Sequence, residues 1–304
     1  MRVLVTGSSS HLAAALLPCL CAHADVEQVT GIDLKPPHFQ HAKFHPRQLD
    51  VRHPALEHLL HSHDALVHLA FVVLRGRMDE REMYDINVAG SRKVFHAARR
   101  AGVRRLVHMS SAAVYGGGVD LREEAAFDPI PGFLYATHKA RVEEMLAAEF
   151  PECVRLRPHA ILGRHAQPLL KQLLDQPCYL RMPEPYPRLQ CVHEDDVAQA
   201  VVLALMSDVI GPFNLAVPDN VSFRDVIRRR HPISVALPRI AAQAGLNLAW
   251  RLFGWGGEPA WIEGLARTLL IDCSRAAGEL GWRSTHDAAS ALASVSRAGD
   301  GRAV

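Results

Sequence analysis

Short apolar runs alternate with helix-length segments through the first half of this chain, and that alternation restricts the fold more than any other feature. Residues 2–6 (RVLVT) read as a strand, 12–22 as a helix, and 29–33 and 65–70 as strands. Residues 87–101 are helical and stop at Gly102, 106–110 form a strand, 134–149 a helix closed before Pro151, and 154–157 another strand. Such βαβ alternation argues for an α/β fold built on a parallel, doubly wound sheet. After Gly163 the pattern weakens. Residues 164–190 are rich in Pro, Leu and Arg and leave the sheet, 191–206 return as a strand edge and a helix, and 212–217 rejoin the sheet. Residues 218–285 read as a second, mainly helical excursion, and the end from Ser290 is small, polar and expected to fray. The chain thus divides into 1–163 plus 191–217, a smaller lobe from 164–190 plus 218–285, and a tail, 286–304.

At 304 residues, one large domain with a smaller lobe is the natural size class. A hydrophobic content of 49% and a charged content of 22% describe an ordinary globule, and a net charge of +2 supplies no single-sign field for nucleic acid. No uninterrupted apolar run reaches the roughly 18 residues of a membrane span. The first residues, Val3-Leu4-Val5, turn at once into Gly7 and Ser8, so they read as the first strand rather than a signal peptide. Cysteines at 19, 21, 153, 178, 191 and 273 form no C-x-x-C pair; buried, reduced thiols and a cytoplasmic location are expected. The densest histidine cluster, H-S-H-D at 61–64, offers too few ligands for a zinc site, and no metal is expected.

Chemistry concentrates in Y-A-T-H-K, residues 135–139, with Ser111 upstream in H-M-S-S-A-A-V-Y-G. Tyr135 and Lys139 are four apart on a helix and so share a face, about 5–6 Å apart at Cβ. A free phenol titrates near 10, and a fixed ammonium beside it is expected to pull that value toward neutrality. Ser111 follows the apolar run 106–109, at a strand's carboxyl end, where ligands gather in open parallel sheets. The three groups together suit proton transfer at a secondary alcohol or ketone.

The set resembles the short-chain dehydrogenase/reductase superfamily, in its extended branch of NAD-dependent epimerases and dehydratases. The resemblance spans nearly the whole chain: V-L-V-T-G at the start, S-S-A-A-V-Y-G, Y-x-x-x-K, V-H-E-D-D-V-A at 192–198 and E-L-G-W at 279–282. It implies a Rossmann-type sheet with a smaller, mainly helical C-terminal substrate lobe formed by the two insertions. It makes Tyr135 the general acid/base, Lys139 the group that lowers its pKa and holds the cofactor ribose, and Ser111 the residue that orients the substrate oxygen. Ser110 competes for that last role, but Ser111 stands four before Tyr115, as the family has it. The resemblance also implies a homodimer through the helices at 87–101 and 134–149.

The first turn, V-T-G-S-S-S-H-L-A, stands where the family shows T-G-x-x-G-x-x-G. Gly7 keeps the tight turn; Ser10 and Ala13 replace the second and third glycines. Ala13 suits close helix packing, whereas Ser10 either loosens the grip on a pyrophosphate or donates a hydrogen bond to it. His11 and Leu12 open the helix beside that pyrophosphate. Asp33 ends the second strand, where a carboxylate accepts from the ribose 2′-hydroxyl, favouring NAD, with Lys35 leaving NADP possible. By the same resemblance Asp50 and Val51 flank the adenine, His68, Leu69 and Ala70 line the cofactor, and Pro158 joins them. Phe71 replaces a small residue and is read as pointing into the core. Asn87 caps its helix or supports the catalytic strand.

The substrate is a small molecule whose class the motifs leave open. Nucleotide-sugar members read R-x-x-N-V-Y-G-P where residues 157–164 here read R-P-H-A-I-L-G-R, so the sugar-binding asparagine is Ala160. The arginine that precedes V-H-x-x-D-V falls on Leu189, with Arg188 one residue off. The second insertion is apolar over 237–256, which reads as lobe core, greasy substrate wall or membrane-surface contact. The leading expectation is an NAD(P)-dependent oxidoreductase acting on an apolar or modestly polar alcohol or ketone. A nucleotide-sugar epimerase or dehydratase with tightly held NAD is the alternative, and a non-catalytic dinucleotide-binding regulator the alternative from another class.

Overall fold

The computed structural model describes all residues except His38, Gln243, 246–259 and 296–304. Its strands are β1 (Arg2–Thr6), β2 (Gln28–Asp33), β3 (Phe44–Gln48), β4 (Ala65–His68), β5 (Arg105–Met109), β6 (Gly118–Leu121), β7 (Val154–Pro158), β8 (Ala160–Leu162), β9 (Cys178–Arg181), β10 (Cys191–His193), β11 (Gly211–Leu215), β12 (Val235–Pro238) and β13 (Leu269–Ile271). Seven of them make one parallel sheet in the order β11-β7-β5-β4-β1-β2-β3. The strand order reverses at β1, between β4 and β2. That places a crevice at the carboxyl ends of β1 and β4, where such sheets hold ligands.

Helices cover both faces, and the alternation within each strand decides what each face buries. Val3 and Val5 of β1 face α1 (His11–Ala22), which packs beside a later helix, residues 194–206; Leu16, Leu17, Val197 and Val201 fill that layer. Leu4, Leu66 and Leu106 face the opposite layer. That layer comprises α2 (Ala55–Leu60), α3 (Glu80–Tyr84), α4 (Ser91–Arg100) and α5 (Leu134–Glu149), with Phe95, Val142 and Leu146 at its centre. The result is a three-layer, Rossmann-like α/β fold. The helix expected over 87–101 begins earlier, as a π-helical turn over Asp85–Gly90 that runs into α4. Strand β3 escapes sequence reading because it is an edge: only Phe44 of its five residues is buried, and Pro46 breaks any apolar run.

The helix over 194–206 is α7 (Glu194–Met206), and the excursions carry α6 (Pro168–Asp175), α8 (Phe223–Arg230), α9 (Ala260–Leu265) and α10 (Ser274–Gly278). Strand β9 pairs with β12 within the excursions, β13 pairs with β6 of the main domain, and β8 with β10, all in parallel. The frayed end expected from Ser290 is corrected through residue 295. Asp287 and Ser290 form a capping box on α11 (Ala288–Ala293), and Ala288, Ala291 and Val295 are buried against Leu162, Leu174 and Val226. Of the apolar stretch 237–256, residues 246–256 lie outside the described residues. Among the described residues no helix is long and apolar enough to cross a membrane. All six cysteines are unpaired.

Candidate functional site

At the crevice, Gly7 turns the chain at φ 70°, and a Cβ there would lie 2.6 Å from the Ala70 backbone nitrogen. Only glycine lets the β1 turn approach the β4 turn this closely. Ser10 follows as the N-cap of α1, its hydroxyl accepting from Ala13 N–H at 3.3 Å. The serine that departs from the family pattern therefore supplies the helix cap. Asp33 lies beside this turn, one carboxylate oxygen accepting from Ser9 N–H at 3.0 Å and the other from Lys35 N–H at 3.1 Å. It orders the loop and keeps lone pairs free for a further donor.

Eight of the residues singled out from the sequence line one cleft of about 440 Å³: Ser10, His11, Leu12, Leu69, Ser111, Tyr135, Lys139 and Pro158. Gly7 and Ala70 form the backbone contact beneath it. Others lie elsewhere. Asp50 is clasped by the Arg52 guanidinium at 2.7 Å, which holds its carboxyl below the usual range, and Arg52 also reaches Asp85 at 2.7 Å. Val51 is buried in the layer under α4. His68 does not line the cleft. It is buried within the sheet, bridging Thr6 Oγ1 at 2.7 Å and Ser91 Oγ at 2.8 Å, and burial drops its pKa to about 3. Asn87 neither caps a helix nor touches the catalytic strand. Its side chain accepts from Val72 N–H at 2.7 Å and donates to Val72 C=O at 3.0 Å, clamping the loop after β4.

Two serines compete at the end of β5, and their surroundings separate them. Ser110 is buried and donates to Glu143 Oε1 at 2.5 Å. Ser111 caps the short 3₁₀ turn Ala112–Tyr115, its hydroxyl accepting from Ala113 N–H at 3.2 Å, and lines the cleft with Tyr135. Lys139 is buried, its ammonium donating to Met109 C=O and lying 3.6 Å from the centre of the Phe71 ring. Phe71 is therefore at the site, edge-on to Tyr135 with ring centres 5.8 Å apart, and not pointing away into the core.

The electrostatics differ from the sequence expectation. Burial pushes the Tyr135 phenol up to about 12, opposed by the nearby Ser111 hydroxyl, and pulls Lys139 down to about 7, opposed by Glu143. The ammonium does not depress the phenol here because it is drawn toward Met109 and Phe71, 5.8 Å from the Tyr135 ring centre. The phenol is meanwhile walled by Phe71, Phe133 and Trp261. Trp261 stacks on Tyr135 at 6.3 Å and meets Phe133 at 4.7 Å.

Below the cleft lies a polar network that sequence reading missed. Register places Thr6, His68, His108 and Arg155 in one row across β1, β4, β5 and β7. Glu143 of α5 closes over the end of that row, pairing with Arg157 at 2.6 Å and with Arg155 at 3.4 Å. Arg157 donates in turn to Tyr115 Oη at 2.6 Å, which donates to Asn214 Oδ1 at 2.9 Å. The available signal was the period of two in L-V-H-M-S and V-R-L-R, with polar groups where a buried face should be apolar.

The described residues contain one geometric candidate for a cation, His193, Asp195 and His286, whose ligand atoms lie within 4.8 Å of one another. The two rings stack at 3.8 Å with planes 20° apart, so their in-plane lone pairs do not converge. His193 Nδ1 instead accepts from Asp195 N–H at 3.2 Å. In the H-S-H-D segment, His63 bridges Leu59 C=O and Thr30 Oγ1, each at 2.8 Å.

The comparisons agree with this fold. The model of the NAD dependent epimerase/dehydratase family matches residues 3–216. The uncharacterized protein Rv2047c of Mycobacterium tuberculosis is 30% identical over 280 residues, 86% of this chain, which spans 28% of that protein's length. The 4-hydroxy-2-methyl-3-oxo-4-farnesyl-3,4-dihydroquinoline-1-oxide ketoreductase of Stigmatella aurantiaca is 31% identical over 183 residues, 58% of this chain and 54% of that protein. Among solved structures, UDP-glucuronic acid 4-epimerase of Bacillus cereus in complex with NAD superposes with a TM-score of 0.76 over 97% of both chains, at 19% identity, a likeness of fold. With its glycine turn, its seven-stranded sheet and a family match covering most of its length, this chain belongs to the NAD dependent epimerase/dehydratase family.

Proposed function

We propose that this chain is an NAD-dependent oxidoreductase that moves a hydride at a secondary alcohol or ketone carried on an apolar substrate. The observation that carries the substrate class is the cleft lining. Around Ser111, Tyr135 and Lys139 the walls are Leu169, Leu170, Leu173, Leu189, Trp261 and Leu265. Lys139 is the one lysine or arginine among the described lining residues. A diphosphate needs charge-assisted donors, and both sequence positions that would supply polar contacts are apolar, Ala160 and Leu189. Arg188, one residue off, is spent on the side chain and carbonyl of Asn220, each at 2.6 Å. The leucines and Trp261 all come from 164–190 and 218–285, which supports reading those segments as the substrate lobe.

The residues at the turn fit a dinucleotide: a glycine the backbone contact demands, an open helix N-terminus at Ser10, and Asp33 beside it. Bound NAD supplies the hydride acceptor. Ser111 would hold the substrate oxygen and Tyr135 would take its proton during oxidation, or give one during reduction. Lys139, whose ammonium is drawn toward Met109 and Phe71, would hold the cofactor ribose. Tyr135, Phe133 and Trp261 keep water from the reacting carbon. The ketoreductase relative supports a net redox reaction. Family membership supports the second reading, an epimerase or dehydratase that returns the hydride to its substrate.

A panel of apolar secondary alcohols and UDP-sugars, each incubated with NAD, separates the two. Net reduced nicotinamide with an apolar alcohol is expected; a converted UDP-sugar with no net reduced cofactor would overturn the substrate class.

A further inference from the structure

We propose that Phe71 is a positioning residue for Lys139, its ring face serving as the second partner of the buried ammonium. An ammonium has three donors. Met109 C=O takes one, and the Phe71 ring lies over Nζ with its centre 3.6 Å away. That distance is well inside the roughly 6 Å within which a ring quadrupole attracts a cation, and the attraction grows where water is excluded.

The ring is also held in place. Just before it, Ala70 N–H donates to Thr6 Oγ1 at 3.2 Å; just after it, both backbone groups of Val72 are clamped by Asn87. The edge-on contact with Tyr135 fixes the ring plane. Phe71 therefore joins the β4 turn to the catalytic helix through a single side chain.

The other groups facing Lys139 leave it short of support. Tyr135 and Glu143 lie on its own helix, and the Glu143 carboxylate is shared among Ser110, Arg155 and Arg157. His68 on β4 and His108 on β5 are held neutral by burial and by the Lys139 charge itself, so they offer it no counter-charge. A ring face supplies what these groups withhold.

The proposal rests on Lys139 belonging to the catalytic site, but its test reads the ammonium itself, so the two can fail separately. The lysines of the chain are Lys35, Lys43, Lys93, Lys139 and Lys171, few enough to resolve by NMR of the full chain labelled at lysine Cε. Lys139→Met assigns the signal. Phe71→Leu keeps apolar bulk and removes the ring face; Phe71→Tyr keeps the face. Expected is a fall of the Lys139 protonation constant by about tenfold in Phe71→Leu, with Phe71→Tyr returning it to the parent value. Should Phe71→Leu fail to fold, Phe71→Met makes the same comparison. An unchanged or raised midpoint without the ring, or a Tyr variant that behaves like Leu, overturns the proposal.

Discussion

A carboxylate at residue 33 and a hydroxyl at residue 10 shape the first turn. Asp33 accepts from the Ser9 and Lys35 N–H groups and retains lone pairs for a further donor. A 2′-hydroxyl can donate to it, while a 2′-phosphate would meet its charge. The chain is therefore expected to bind NAD more tightly than NADP, and Asp33→Ala to erase or invert that preference in a calorimetric titration. Equal affinities in the unmutated chain would contradict this. The T-G start and the aspartate at the second strand's end are local patterns, and both were readable from the sequence. Phe71 was not, because whether an aromatic after a strand points to core or cleft depends on Asn87 clamping its neighbour, a contact 15 residues apart along the chain.

Helix α5 joins chemistry to stability, since Tyr135 and Lys139 face the cleft while Glu143, one turn on, closes the buried charge network. Removing one partner of such a pair leaves an uncompensated charge, which costs about 3–5 kcal/mol. Glu143 faces both Arg155 and Arg157, so Glu143→Leu is accordingly expected to lower the unfolding free energy, read from the urea midpoint and slope, by that order, and replacing both arginines with Met in addition to recover much of the loss. A neutral single variant would show that the network carries no net charge burden. On the same sheet face, burial holds His68 at about 3 and lowers His108, whose ring nitrogens have no hydrogen-bond partner among the described residues. A histidine depressed in the folded state gives stability that is present above its unfolded value near 6.5 and is lost as pH falls toward the folded value. His68 alone accounts for a loss on the order of 4 kcal/mol by pH 3. Urea unfolding followed from pH 7 to 4 is expected to show this slope, and His68→Asn to flatten it; a flat parent profile would refute the assignment. The polar row beneath α5 escaped the sequence because it is fixed by register between strands, not by neighbours in the chain.

For the molecule as a whole, the alternation of strands and helices specified six of the seven strands of the sheet, the edge strand β3 excepted, and each excursion was visible as a break in that alternation. The lobe was harder to read because its strands are three or four residues long and pair with distant partners, as β13 does with β6. The C-terminal helix α11 was mistaken for a tail because small residues look like disorder until Ala288 and Ala291 are seen packed against Val226 and Leu174. Helices α4 and α5 lie side by side with Arg141, Glu144 and Ala148 exposed on one stripe. A symmetric dimer through this pair is expected, and light scattering at micromolar concentration checks it: a monomer would count against the pairing.

The central claim is that Ser111, Tyr135 and Lys139, brought together from β5 and α5, carry out proton transfer in this chain. Tyr135→Phe tests it most directly, because it removes one oxygen and keeps the ring between Phe71 and Trp261. With a competent alcohol and NAD, turnover is expected to fall at least 10²–10⁴-fold and to lose its rise with pH, while the NAD dissociation constant stays at the parent value. Near-full turnover with the pH profile intact would contradict the account.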